Sequence, residues 1–111
     1  MPADAFSYDE VPYISGARVD THPNNLGALG RLFGLPTVPP EHARVLEIGC
    51  GDGGNLIPIA VSLPGAECLG FDLSGQAVAR GRAAIEVMGL TNIDLVVGDI
   101  AAGPVHGGFD Y

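Results

Sequence analysis

Apolar runs and glycine-rich turns alternate between residues 44 and 99, and their spacing predicts strands and helices in turn. Three short runs rich in branched residues predict strands at 44–48, 67–71 and 93–97. Between them, apolar positions at helical spacing predict helices at about 54–63 and 75–88. Strands that alternate with helices pair in parallel through right-handed crossovers. The pattern therefore predicts an α/β fold.

The helix predicted at 75–88 has recognisable ends and one apolar side. Ser74 suits the N-cap position, because its hydroxyl can accept a hydrogen bond from the first turn. Gly89 suits the position just after the helix, where a left-handed conformation is common. The predicted core-facing side consists of Ala77, Val78, Ala84, Ile85 and Met88.

The residues before the first strand show weaker periodicity. Residues 1–23 have neither a helical nor a strand period. Asn24 or Asn25 could then cap a helix over 25–33, which its glycines weaken. One face of that helix carries Leu26, Leu29 and Phe33.

A stiff proline pair divides the chain into two predicted regions. Residues 1–40 form a leader and a helix, and residues 41–111 form the first half of a ligand-binding domain. Phe109-Asp110-Tyr111 predicts the first residues of a further strand.

A glycine turn lies between the first predicted strand and the helix that follows. Its glycines permit a tight turn and let a ligand lie against the backbone. Gly49, Gly51 and Gly54 match the dinucleotide-binding spacing G-x-G-x-x-G. Glu47, Gly49, Gly51 and Gly53 equally match Glu-x-Gly-x-Gly-x-Gly, a pattern typical of S-adenosylmethionine sites. Both interpretations predict an adenosine ligand.

Acidic residues at the turn help to separate these two ligands. A pyrophosphate at this position would be repelled by Glu47 and Asp52. S-adenosylmethionine carries a sulfonium and an ammonium, which either acid can attract. Asp72 lies 21 residues after Gly51, where a carboxylate can accept both ribose hydroxyls of either ligand. Charge therefore favours S-adenosylmethionine.

A third acid follows the third predicted strand. Asp99 lies at the carboxyl edge of the sheet, where ligands bind in such folds. Its side chain can accept from the adenine amino group, and the backbone of Ile100 can serve the ring. The predicted cofactor contacts are Glu47, Gly49, Cys50, Gly51, Asp52, Gly53, Asp72, Leu73, Asp99 and Ile100.

These segments resemble the motifs of class I S-adenosylmethionine-dependent methyltransferases. Arg44–Asn55 resembles motif I, Gly70–Ser74 the second-strand motif, and Val97–Ile100 the segment after strand 3. The resemblance implies a Rossmann-like doubly wound parallel sheet, of which this chain holds strands 3-2-1 and the start of strand 4. It also implies that Glu47, Gly49 and Gly51 line the methionine part, Asp72 holds the ribose, and Asp99 and Ile100 hold the adenine.

The leader adds a second resemblance. Tyr8–Tyr13 and Thr21–Pro23 are similar to the leader of bacterial methyltransferases that carry an additional regulatory domain. Some of those relatives methylate lysines of outer-membrane proteins. The resemblance implies a flap over the cofactor formed by Tyr8, Tyr13 and His22, although His22 also suits a helix cap or a loop. The pattern departs from that leader at Ala17, Arg18 and Asp20.

Composition narrows the partners. The net charge of −8, with five arginines and no lysine, argues against a nucleic-acid surface. No apolar run approaches the ~20 residues of a membrane helix, and the start is not a signal peptide. Cys50 and Cys68 lack metal-site spacing, so we expect buried free thiols in a cytoplasmic protein, Cys50 being a small filler of the turn.

We therefore predict the cofactor-binding portion of an S-adenosylmethionine-dependent methyltransferase. The alternatives are an NAD(P)-binding module of an oxidoreductase and a non-catalytic binding fragment. The methyl acceptor stays open between a small molecule and a protein, lysine being suggested by resemblance alone. No catalytic residue is named, because methyl transfer depends mainly on alignment. We expect an N-terminal fragment, inactive alone, that could self-associate through an open sheet edge.

Overall fold

The structure, a computed structural model, describes residues 16–102 and 107–111. It has a parallel sheet of strands β1 (Arg44–Ile48), β2 (Glu67–Asp72) and β3 (Ile93–Val97), in the order β1-β2-β3. Its helices are α1 (Pro23–Leu32), α2 (Leu56–Ser62) and α3 (Gly75–Met88). Short 3-10 turns span Val19–Thr21, Pro40–His42 and Ile100–Ala102. The predicted α/β class and 3-2-1 strand order are confirmed.

The strand register brings the carboxyl ends of all three strands to one edge. Ile48 pairs with Phe71, which in turn pairs with Val96. Asp72 pairs with Val97 one residue further on. Residues that follow the strands therefore share the edge where ligands of such sheets bind.

A hydrophobic core joins the sheet to α2 and α3. Leu56, Val78 and Leu95 are among its fully buried side chains. Asn92 fastens the core at its other end, because its amide donates to the carbonyls of Ala60, Leu63 and Ala66 at 3.0–3.1 Å. These bonds satisfy the last carbonyls of α2 and the loop after it.

The ends of α3 agree with the sequence, but its core-facing side is narrower. The Ser74 hydroxyl accepts from the Ala77 N–H at 3.2 Å, and Gly89 is left-handed at φ 67°. The prediction that Ala84 and Met88 face the core is wrong, since both are exposed. The buried stripe instead includes Gly81, whose missing side chain lets the helix approach the sheet closely, leaving flanking positions in solvent.

Helix α1 begins two residues earlier than predicted, and neither asparagine caps it. The His22 ring nitrogen Nδ1 accepts from the Asn24 N–H at 3.1 Å, and Pro23 occupies the first helical position. The alternative that His22 is a helix cap is confirmed. The apolar face predicted on α1 is exposed, and the buried positions of the helix are Pro23 and Gly27.

The last residues of the chain lie beside β1. Leu46 N–H donates to the Tyr111 carbonyl at 3.0 Å, and Asp110 N–H donates to the Arg44 carbonyl at 2.8 Å. The Arg44 guanidinium donates to the Gly108 carbonyl at 2.7 Å and covers the Phe109 ring at 4.8 Å. This is the parallel pairing expected of the start of strand 4, and it covers part of the β1 edge.

In the ranges described, no helix is long and apolar enough to cross a bilayer.

Candidate functional site

The glycine turn after β1 folds back over the end of β2. The N–H groups of Gly49 and Cys50 both donate to the Phe71 carbonyl, at 2.8 and 3.0 Å. Gly49, Gly51 and Gly53 have φ values of 72°, 58° and 83°, which residues with a Cβ rarely adopt. These bonds require the left-handed conformation that the glycines supply.

Glycine serves two different purposes within this turn. A Cβ on Gly53 would meet Ile57 and Leu95 side-chain atoms at 2.9–3.2 Å, so its absence allows close packing. A Cβ on Gly49 would meet nothing within 4 Å. Open space therefore lies over the backbone at Gly49, where a ligand can approach.

Asp72 connects the turn to the end of β2. One carboxylate oxygen accepts from the Gly51 N–H and the other from the Ser74 N–H, both at 2.9 Å. A carboxylate offers about four lone-pair sites, so each oxygen can accept one further bond. The half-buried Asp72 can therefore hold two vicinal hydroxyls without giving up its backbone partners.

Glu47 is half-buried at the end of β1. Its Oε2 accepts from the Asn55 amide at 2.6 Å. Burial raises the pKa of the Glu47 carboxyl, while the Asn55 bond and the charge of Arg18 act to lower it. A partly desolvated carboxylate at this edge attracts a cation more strongly than one in water.

Asn55 is the site residue that the sequence analysis did not identify. Its Oδ1 accepts from the Arg18 N–H at 2.7 Å, and its Nδ2 also donates to the Thr21 hydroxyl at 3.2 Å. His22 hydrogen-bonds with Ser62 at 2.8 Å. The segment 18–22 is thereby fastened to α2. An asparagine before a helix is normally interpreted as a cap, and no local sequence signal indicates these tertiary contacts.

Cys50 and Asp52 complete the turn. Cys50 is buried against Gly70, and burial, followed by the charges of Asp72, Glu47 and Asp52, raises its pKa to about 12. Its thiol is free, as is that of Cys68, which confirms the predicted free thiols. Asp52 Oδ1 accepts from the Gly54 N–H at 3.1 Å.

The remaining predicted contacts lie at the ends of β2 and β3. Leu73 is 44% exposed directly after Asp72. Asp99 is exposed, and its Oδ1 accepts from the Ala101 N–H at 2.9 Å, while Ile100 opens a short 3-10 turn. Gly98 N–H donates to the Asp72 carbonyl at 2.9 Å, which links the two strand ends. Tyr8 and Tyr13 lie outside the described residues.

The chemistry of these residues fits a cationic adenosine ligand. Half-buried carboxylates flank a turn with open backbone, and residues 49–55 include no basic side chain. In the described parts of the chain, no group of three or more His, Cys, Asp or Glu residues could hold a metal ion. The site is therefore suited to sulfonium and ammonium groups rather than to a pyrophosphate.

Comparison with known proteins agrees with this geometry. Residues 45–111 match the family described as Methyltransferase domain, and the chain belongs to that family. Membership implies S-adenosylmethionine as the cofactor. It favours the methyltransferase interpretation of the glycine turn over the dinucleotide one.

Individual relatives are similar over most of this chain. The structure of PKMT2 from Rickettsia typhi in complex with AdoHcy has a TM-score of 0.84 and 37% identity, covering 90% of this chain and 20% of that one. Uncharacterized protein RP789 of Rickettsia prowazekii is 42% identical over 92 residues, 83% of this chain and 17% of that protein. Trans-aconitate 2-methyltransferase of Streptomyces coelicolor is 33% identical over 82 residues, 74% of this chain and 26% of that enzyme. The chain thus spans about a quarter or less of each of these three proteins.

Proposed function

We propose that this chain forms the S-adenosylmethionine-binding part of a methyltransferase. The observation that supports this most directly is the pair of half-buried carboxylates, Glu47 and Asp72, on either side of an open glycine turn. The family of the chain and its similarity to a protein solved with AdoHcy support the same ligand.

Each predicted contact has a role in this proposal. Glu47 and Asp52 attract the cationic end of the cofactor. Asp72 accepts from the ribose hydroxyls, while Asp99 and the Ile100 backbone bind the adenine. Cys50 and Leu73 contribute apolar surface next to these groups, and Gly49, Gly51 and Gly53 admit the ligand to the backbone.

The cofactor supplies the chemistry of such a reaction when it is bound, as an electrophilic methyl group on a sulfonium. The residues of this chain bind and orient it, so that an acceptor can attack in line with the breaking bond. Alignment of that kind accounts for a large share of a rate enhancement. Once the acceptor has lost its proton, the proposal therefore needs no general base within the described residues.

We propose a protein lysine as the methyl acceptor. The leader resembles that of bacterial methyltransferases with an additional regulatory domain, some of which methylate lysines of outer-membrane proteins, and the similarity to PKMT2 supports a protein acceptor. In this proposal Tyr8, Tyr13 and His22 cover the bound cofactor. A small-molecule acceptor is the second candidate, because trans-aconitate 2-methyltransferase is also a relative. Because we expect the chain to be inactive alone, the test gives labelled S-adenosylmethionine and either a lysine-containing protein or trans-aconitate to an enzyme that includes this sequence. Label transferred to only one of these acceptors would separate the two candidates.

Calorimetric titration of the 111-residue chain with S-adenosylhomocysteine tests the cofactor site. Asp72→Ala should weaken binding at least tenfold, about 1.4 kcal/mol, because the ribose loses its acceptor. Asp94→Ala is the matched control, since it removes an exposed carboxylate from β3. Circular dichroism on each sample reports folding, and NAD serves as the ligand control. Equal affinities of folded Asp72→Ala and wild type would refute the site.

A further inference from the structure

Asn55 stands in the N-cap position of α2 but does not cap it. Its side chain makes no hydrogen bond to the first turn of the helix. A capping asparagine normally accepts from an N–H two or three residues later and contributes ~1 kcal/mol. Here the carboxamide instead makes three longer-range contacts, at 2.6, 2.7 and 3.2 Å. The side chain is therefore committed to tertiary contacts.

Those contacts join two separate parts of the site. The amide nitrogen of Asn55 donates to Glu47 Oε2 and to the Thr21 hydroxyl. Its oxygen accepts from the Arg18 N–H. The planar Asn55 carboxamide thus holds both Glu47, which faces the cofactor in the proposed function, and the neighbouring leader backbone at Arg18.

Burial, the hydrogen bond from Asn55 and the charge of Arg18 all act on the ionisation of Glu47. Arg18 contributes the nearby positive charge, from the leader. The other titratable groups at this end of the sheet are Cys50 and Asp52 in the glycine turn and Asp72 on β2; the charges of Asp52 and Asp72, with that of Glu47, act on the Cys50 thiol. Among the influences on Glu47, the Asn55 bond is the largest that favours the ionised form, ahead of Arg18.

We propose that Asn55 is a positioning residue that holds the ionised Glu47 carboxylate for the cationic end of S-adenosylmethionine and couples it to the leader segment 18–21. This inference rests on the proposed function. Because both contacts use the same carboxamide, loss of the leader contact weakens the Glu47 contact, and loss of the Glu47 contact weakens the leader contact. Leader docking and cofactor affinity are then linked, and the link is reciprocal.

The test is the affinity of the full chain for S-adenosylmethionine between about pH 4.5 and 7, where the cofactor's own carboxyl and amino groups keep their charges. Wild-type affinity should fall in acid as Glu47 takes up a proton. Asn55→Ala removes the bond that lowers the pKa of Glu47, so this fall should begin at a higher pH. Affinity at neutral pH should also drop, by about tenfold, as expected of one charged hydrogen bond.

Further variants separate positioning from folding. Asn55→Ser retains a good N-cap residue but is too short to reach Glu47, and it should show the same shift. Ser62→Ala loses the His22 contact but keeps the bond between Asn55 and Glu47, so its pH midpoint should lie nearer to that of wild type than the midpoint of Asn55→Ala does. The S-adenosylmethionine affinity of Glu47→Gln should not fall in acid. Adding Asn55→Ala to Glu47→Gln should produce little further loss of affinity.

Each outcome discriminates. Wild-type chain that binds no S-adenosylmethionine at any pH overturns the proposed function and this inference together. If wild-type affinity falls in acid and Asn55→Ala and Asn55→Ser show the same fall at the same pH, the inference alone is overturned. Wild-type affinity that does not fall in acid also overturns the inference, because the ionisation of Glu47 would then contribute nothing to cofactor binding.

Discussion

At the scale of single residues, the site depends on carboxylates held away from full solvation. Asp72 and Glu47 are both half-buried, but their partners differ. Asp72 receives two backbone N–H bonds, which a fixed turn supplies. Glu47 receives a side-chain amide bond, and burial still raises its pKa. A carboxylate kept charged against desolvation stores binding energy for a cation at some expense in stability.

Glu47→Gln should separate these two effects. Because folding raises the pKa of Glu47, the folded chain binds the proton more tightly than the unfolded chain does. The free energy of unfolding therefore falls as pH rises from 4.5, the ordinary value, through the folded pKa, and stays lower above it. Glutamine removes this loss while keeping an acceptor for Asn55.

The expected result is a variant at least as stable as wild type at pH 7, with about tenfold weaker S-adenosylmethionine binding. Urea denaturation at pH 4, 5, 6 and 7 measures the first quantity, and calorimetry measures the second. A variant that is less stable at pH 7 yet binds normally would show that Glu47 is structural.

At the scale of elements, the glycine turn is held by helix α3 as well as by the strands. Gly81, in the middle of α3, lies against the Asp52 carbonyl and the Leu95 side chain. A Cβ there would meet the Asp52 carbonyl oxygen at 2.6 Å, and a backbone atom cannot rotate away. The helix thus sets how low the turn lies over the sheet.

Gly81→Ala should destabilise the fold by about 1–3 kcal/mol through overpacking, despite alanine's better helix propensity. Gly75→Ala in the same helix is the matched control, since its Cβ would meet nothing within 4 Å. Thermal denaturation of both variants measures the difference. If Gly81→Ala is as stable as Gly75→Ala, the close approach of α3 to the turn is not required.

At the scale of the whole molecule, residues far apart in sequence cover part of one edge of the sheet. The segment 108–111 pairs with β1, and the Tyr111 hydroxyl donates to the Val38 carbonyl at 2.7 Å. A Cβ on Gly27 would meet the Tyr111 hydroxyl at 2.6 Å. Because Gly27 has no side chain, α1 can pack against Tyr111. Strand edges left unpaired promote association, so this segment protects β1.

Asp110→Pro tests that protection. Proline removes the N–H that donates to the Arg44 carbonyl, and the substitution also removes the carboxylate that accepts from Arg44 N–H at 2.8 Å. Asp110→Ala loses only the carboxylate. We expect the proline variant to be about 1 kcal/mol less stable than the alanine variant and to self-associate at lower concentration. Sedimentation velocity over a concentration series measures association; identical behaviour of the two variants would contradict the role of this edge.

The sequence alone predicted most of the elements and the ligand class, because those depend on local pattern. The spacing of apolar runs determined the three strands, and the end signals of α3 at Ser74 and Gly89 are confirmed. The glycines and acids of the turn identified an S-adenosylmethionine-type site before any geometry was known, and the family of the chain agrees. The roles of the individual contacts stay predictions.

Only the tertiary structure decided which residues meet across the chain. Asn55 lies within the helix predicted at 54–63, yet in the structure it precedes α2 and joins Glu47 to a leader 34–37 residues earlier. The exposed Ala84 and Met88 lie on a helix whose approach depends on Gly81 and its distant contacts. Local sequence determines φ, ψ and periodicity, whereas side-chain partners depend on which segments the fold brings together, and that information is not local.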